Sequence, residues 1–279
     1  MQSKTAAAAV ARLLLIAGAV IVALALPTFR AHASGCPEHP DAIGTGRTMI
    51  VDPTVLHQVG TEQYAQTLPL RDYEVVLTFD DGPSPLTTEK VLDALAAECA
   101  SANFFIVGEH ARERPDLVGR AYRDGHTVGT HSQTHPDLAR MPLEAAECEI
   151  DDGIASVQAA LGPRVAPAPF FRAPYLQATP ELEQFLVKRG LMQWSADIIP
   201  QDWQPLTPEA VVARTLNLLQ AKGSGIILMH DVQPHTAAAL PMLLRQLKEH
   251  GYSIVRALPT DVGTKPLAVS GAGAVDGTQ

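Results

Sequence analysis

The chain has 279 residues, 46% of them hydrophobic and 18% charged, with 21 lysines and arginines against 30 aspartates and glutamates, for a formal charge of −9. That length holds one large domain or two small ones. The acidic balance argues against a nucleic-acid or anionic-lipid partner and suits a neutral substrate, or one that becomes cationic.

Residues 1–33 read as a separate unit. Lys4 and Arg12 precede an uncharged apolar run, Leu13 to Phe29, and Ala31-His32-Ala33 closes it. A basic start, an apolar centre and a small-x-small ending describe an export signal cleaved after Ala33, which predicts a periplasmic or secreted protein. The run is at the short limit for spanning a bilayer, so a retained anchor is the alternative. Ser34-Gly35-Cys36 leaves lipid attachment at Cys36 as a further one. Cleavage removes Lys4, Arg12 and Arg30 and no acid, taking the charge to −12. No membrane partner is expected beyond the signal.

Residues 34–73 are rich in Pro, Gly and Thr without a periodic run, and read as an N-terminal extension packing on a domain at 74–260. There, short apolar runs alternate with amphipathic stretches. Strands are predicted at Val75–Phe79, Asn103–Val107, His126–Gly129, Pro169–Arg172, Leu191–Trp194, Gly225–Met229 and Tyr252–Val255. Helices are predicted at Thr87–Cys99, Pro115–Asp124, Pro142–Leu161, Thr179–Arg189, Thr207–Lys222 and Leu240–His250. Thr179-Pro180 and Thr207-Pro208 are N-terminal caps, and Gly162-Pro163 and Gly223 are stops. Strict β/α alternation implies an α/β fold with a parallel sheet, open or closed into a barrel. Residues 261–279 read as a flexible tail. The three cysteines are an odd set: a Cys99–Cys148 disulfide and buried free thiols are both open, and no CxxC or Cys/His zinc pattern occurs.

Asp80-Asp81, His131, Arg172, Asp197 and His230 all fall at or just after the C-terminal ends of predicted strands, the edge that carries active sites in α/β barrels. In Thr78-Phe79-Asp80-Asp81-Gly82-Pro83, two carboxylates close a strand and can face opposite ways, one to a metal and one to a reacting water. His131-Ser132-Gln133-Thr134-His135 puts two imidazoles four residues apart. With Asp81 they make a three-ligand site that leaves a position open for water. Arg172, after an apolar strand, can hold a carboxylate ionised. Pro174 fixes the backbone so that the Tyr175 N–H could aim at an oxyanion. His230 follows an apolar strand and can protonate a leaving group, given a carboxylate behind it. Asp202 fills that place, with Trp203 beside it to pack the wall, and Asp231 competes. His57, His110, His126, His235 and His250 read as structural or surface groups, as do His39 and Asp41.

Taken in order, Thr-Phe-Asp-Asp-Gly-Pro, His-Ser-x-x-His, Arg-x-Pro-Tyr, Asp-Trp and Leu-x-His resemble the signature of polysaccharide deacetylases with a NodB-type domain, carbohydrate esterase family 4, across about residues 74–258. The resemblance implies a distorted (β/α) barrel of about seven parallel strands and a divalent metal, zinc first, with Co2+, Ni2+ or Mn2+ as alternatives. It implies Asp80 as general base paired with Arg172, and Asp81, His131 and His135 as metal ligands. His230 would be the general acid tuned by Asp202, the Tyr175 N–H would serve the oxyanion, and Trp203 and Leu228 would line the acetyl pocket. The expected activity is N-deacetylation of N-acetylglucosamine-containing glycans, chitooligosaccharide or peptidoglycan. An O-acetyl esterase of xylan type and a non-catalytic carbohydrate-binding module are the alternatives. A serine hydrolase is disfavoured because no G-x-S-x-G occurs. One departure stands out. The family pattern Asp-x-x-Asp-Trp is here Asp197-Ile198-Ile199-Pro200-Gln201-Asp202-Trp203, two residues longer, so Asp197 competes with Asp202.

Overall fold

The computed structural model describes Cys36 and residues 39–260. The export signal expected at 1–33 and the tail expected at 261–279 both lie outside the described residues. Strand β3 (Glu74–Asp80) is the centre of the sheet, and all seven of its residues are buried. It pairs with β4 (Asn103–Ile106), with β8 (Gly225–His230) and, over Glu74 and Val75 only, with β9 (Ser253–Pro259). Such a strand has no solvent face, which is why its sequence is continuously apolar up to the final aspartate. Strands β5 (Thr127–Thr130), β6 (Phe170–Phe171) and β7 (Met192–Trp194) follow β4 in space. Every ladder is parallel.

Among the described residues, no ladder joins β7 to β8. Instead the chain leaving β7 bonds to β8: Asp197 N and Ile198 N donate to Ile226 O at 2.9 and 3.0 Å, and Leu228 N donates to Ile198 O at 3.0 Å. Since β8 pairs with β3 residue for residue, this irregular segment, not a ladder, links the end of β7 to the β8 side of β3, and the sheet stays open.

Alternation along β3 sorts its neighbours. Val75, Leu77 and Phe79 join a cluster with Val91, Leu92 and Leu95 of helix α1 (Thr88–Ala97) and with Leu243 and Leu247, while Val76 joins Phe105, Phe170, Trp194 and Ile226. Asp80 has the parity of Val76. The register therefore turns it to the side of Phe105 and Trp194.

Helices α2 (Gly108–Glu113), α3 (Pro115–Arg123), α4 (Leu143–Leu161), α5 (Pro180–Lys188), α6 (Pro208–Lys222) and α7 (Pro234–Glu249) connect the strands. Thr179 Oγ1 accepts from Leu182 N, and Thr207 Oγ1 accepts from Ala210 N, as the sequence predicts. Helix α7 begins six residues before the expected Leu240. Pro234 opens it and Pro241 lies inside, where it forfeits one backbone bond without ending the helix.

The strand number differs from the expected seven because the extension is part of the sheet. Strand β1 (Thr45–Val51) pairs with β9, and β2 (Gln58–Val59) with β7, giving nine strands among the described residues. β1 is half exposed and β2 has two residues, so neither leaves an apolar run in the sequence. The cysteine pairing also differs from the one considered above. Cys36 joins Cys99 with their Cα atoms 5.9 Å apart, and Cys148, on α4, is free and exposed. A thiol held in that bond is closed to lipid attachment.

Candidate active site

Asp80 ends β3 almost fully buried, and Arg172 is buried completely. Arg172 follows β6, which is short enough that its side chain crosses to β3. Its NH1 donates to Asp80 Oδ1 at 2.6 Å and to Thr78 Oγ1 at 2.9 Å, and its NH2 and Nε donate to Ser195 O and Trp194 O at 2.9 and 3.3 Å. The guanidinium lies 4.2 Å from the centre of the Phe105 ring. Burial pulls the Arg172 pKa down, and the Asp80 carboxylate opposes that fall. The carboxylate is the charge that offsets the burial of the guanidinium.

Asp81 leaves the strand with φ 72, a left-handed conformation aspartate tolerates better than most residues. This turn sends its carboxylate toward β5 and the loop after it. Asp81 Oδ1 lies 3.4 Å from His131 Nε2 and 3.2 Å from His135 Nε2. His135 is itself left-handed, and Ser132 Oγ accepts its N–H at 3.0 Å, which turns its ring back onto the site. One donor atom from each of the three residues falls within 4.8 Å of the others.

The cluster fits a divalent cation on its own chemistry. His131 Nδ1 sits 2.6 Å from Arg172 O, which only accepts, so that nitrogen carries a proton. Its Nε2 then either turns a lone pair on the Asp81 carboxylate or makes a buried imidazolium. A cation held by both imidazoles and the carboxylate resolves the clash. Two imidazoles and a carboxylate are the donor set of hydrolytic zinc sites, and Asp81 Oδ1 is buried with no hydrogen-bond partner.

His230 ends β8, opposite Asp80 in the β3–β8 register. Its Nδ1 lies 2.7 Å from Asp202 Oδ1, and its own N–H donates to Asp202 Oδ2 at 2.8 Å. Thr236 Oγ1 adds a bond to the same oxygen at 2.6 Å, and His235 Nε2 meets the Asp202 carbonyl. Burial lowers the His230 pKa, but the bond to Asp202 and the charges of Asp202, Asp80 and Asp81 outweigh it and raise it to about 9. Among the described residues, the competing acids are elsewhere engaged. Asp197 Oδ1 accepts from Thr61 N and Oγ1, each at 2.8 Å, and Oδ2 from Thr67 Oγ1 at 2.7 Å and Ile226 N at 2.9 Å. It pins the extension to β8. Asp231 accepts from Thr88 Oγ1 and packs on Gly82, where a Cβ would stand 2.2 Å from its Oδ2. The longer loop thus leaves Asp202 behind His230.

A cavity of about 460 Å³ gathers Asp80, Asp81, His131, His135 and His230 with walls from Tyr175, Leu176, Ile199, Trp203 and Leu228. Tyr175 is exposed, and its ring meets His135 edge-on at 4.8 Å. Trp203 is half exposed and meets His230 edge-on at 5.6 Å, while Leu228 is buried. All ten site residues anticipated from sequence thus converge on this cavity or directly support it. Sequence reasoning missed His110, whose Nδ1 meets Asp81 O at 2.7 Å, and His235 under Asp202. Both carry local signals no different from a surface histidine.

Fold and site define a parallel α/β protein with a carboxylate–imidazole cluster at its strand ends, flanked by an Asp–Arg and a His–Asp pair. Comparison with known proteins agrees. Residues 68–194 match the polysaccharide deacetylase family. A chitooligosaccharide deacetylase of Sinorhizobium fredii is 34% identical over 66% of this chain and 90% of its own length. The peptidoglycan-N-acetylmuramic acid deacetylase PdaC of Bacillus subtilis is 31% identical over 71% of this chain, which spans 41% of that protein. The solved peptidoglycan deacetylase of Bdellovibrio bacteriovorus superposes with a TM-score of 0.69 at 32% identity, over 77% of this chain and 59% of that one. The chain belongs to the polysaccharide deacetylase family.

Proposed function

We propose that this chain is a metal-dependent N-deacetylase of N-acetylglucosamine-containing glycans, exported to the cell envelope or beyond. The observation that carries the reading is one cavity holding the Asp80–Arg172 pair and the His230–Asp202 pair on adjacent strand ends beside the Asp81–His131–His135 cluster. That cluster would hold a divalent cation, zinc being the first choice. When bound, the cation supplies Lewis-acid polarisation of the acetyl carbonyl and acidifies water.

The protein's own groups do the rest. Arg172 fixes Asp80 Oδ1, which orients the carboxylate to take a proton from the attacking water. The Tyr175 main-chain N–H receives the oxyanion. His230, protonated at neutral pH by virtue of Asp202, delivers a proton to the departing amine nitrogen. Leu228 and Trp203 wall the space for the acetyl methyl. An amine leaves poorly without that proton, so a proton-holding His230 favours amide over ester cleavage. The relatives are named for peptidoglycan and chitooligosaccharide, which supports the same substrate class here. A disulfide between Cys36 and Cys99 supports an oxidising compartment.

The test is acetate release by metal-loaded protein from N-acetylchitooligosaccharides, N-acetylated peptidoglycan and O-acetylated xylan, with Asp80→Asn as blank. Release from an amide substrate, absent in the blank, is the expected result. Release from xylan alone would transfer the protein to the esterase reading.

A further inference from the structure

The match to the family begins at residue 68, so the turn at 60–67 lies outside it. That turn nevertheless bonds to a wall of the cavity, at Leu176. Tyr175 and Leu176 are consecutive non-glycine residues with φ 57 and 54. Two left-handed residues in a row persist only where their surroundings over-determine them. Pro174 restrains the chain on one side. On the other, Gln63 Nε2 donates to the Leu176 carbonyl.

Gln63 is exposed, but the turn that carries it is held from several directions. Glu62 N donates to Ala196 O at 2.9 Å, Tyr64 N to Gly60 O at 3.0 Å, and Gly60 N to Gln66 O at 3.0 Å. Thr61 and Thr67 grip the Asp197 carboxylate. Gly60 has φ 105, and a Cβ there would stand 2.5 Å from both Ala196 N and Ser195 C. Only glycine lets the turn lie this close to the backbone, whose Ser195 carbonyl in turn receives Arg172.

We propose that Gln63 is a positioning residue for catalysis. From outside the matched region, it holds the Tyr175–Leu176 turn so that the Tyr175 N–H stays aimed at the developing oxyanion. The inference rests on the reading of that N–H given above.

Two variants test it in the full chain: Gln63→Met, which keeps the length without a donor, and Gln63→Lys, which keeps a donor. With Gln63→Met, kcat on an N-acetylated glycan should fall about tenfold, short of the 10²–10³ lost with an oxyanion donor itself. KM, bound metal and melting temperature should hold, and Gln63→Lys should recover most of the loss. Hydrogen exchange reads the turn without catalysis. Leu176 N and Gln177 N donate to Ala173 O and Pro174 O at 3.0 and 3.1 Å. Their exchange should quicken about fivefold in Gln63→Met, as the loss of one hydrogen bond gives. Unchanged exchange would overturn the hold, and faster exchange with unchanged kcat would overturn its role in catalysis. Should the wild type release no acetate from any glycan, the functional reading falls, while the exchange rates still decide whether Gln63 holds the turn.

Discussion

Replacing Asp202 with asparagine isolates what sets the proton on His230. The side chain keeps its shape and loses its charge. In the wild type, burial alone would lower His230, yet the bond and charge of Asp202, with Asp80 and Asp81 behind it, raise the pKa from 6.5 to about 9. At about 1.4 kcal/mol per pH unit, that interval is about 3 kcal/mol of net preference for the imidazolium, with Asp202 the largest of the groups that raise it. The folded value lies above the unfolded one, so this stabilisation is complete below pH 6.5 and is lost as pH rises through about 9. Urea unfolding of chelator-treated protein should therefore show a gap between wild type and Asp202→Asn that is widest below pH 6.5 and narrows toward pH 9. Part of the gap should persist at every pH, from the bonds to His230 N and Thr236. In metal-loaded protein, the proposed role of His230 requires its proton, so kcat/KM should fall on the alkaline side, and in Asp202→Asn that limb should move down by a pH unit or more. Coincident alkaline limbs, or a stability gap independent of pH, would refute the pairing.

Arg172→Met should cost about 3–5 kcal/mol in urea unfolding, because it strands the buried Asp80 carboxylate, and Asp80→Asn in the same chain should return part of that loss. A loss under about 1 kcal/mol would show that the pair behaves like a surface one. Cys36→Ser should lower stability by up to about 4 kcal/mol, given the 63-residue separation of the bonded cysteines, and Cys148→Ser should leave it unchanged. Denaturation with and without reductant checks both. Asp197→Ala should cost about 3 kcal/mol by leaving Ile226 N and both threonines unpaired, yet leave the alkaline limb of the rate profile in place. A shifted limb would make Asp197, not Asp202, the residue that tunes His230.

Most of the candidate site was legible because its residues sit at strand ends, and strands announce themselves locally. An apolar run such as Val75–Phe79 is followed by a residue that must leave the sheet, and polarity there marks the site. The helix caps at Thr179 and Thr207 are equally local. What the chain could not disclose by itself depended on contacts distant in sequence. Strands β1 and β2 exist because β9 and β7 offer them free edges. Asp197 and Asp202 are five residues apart in one loop, and only the folded bonds of His230 to Asp202, and of Asp197 to Thr61, Thr67 and Ile226, show which of them backs His230. Cys36 meets Cys99 across that same long-range assembly. His110, His235 and Gln63 touch the site through single bonds to backbone carbonyls, and a carbonyl is present at every residue, so no sequence pattern can mark which one is met. Periodicity and side-chain chemistry thus determined most strands and helices and the candidate site groups, while the tertiary structure decided their partners, because pairing is fixed by where distant segments converge.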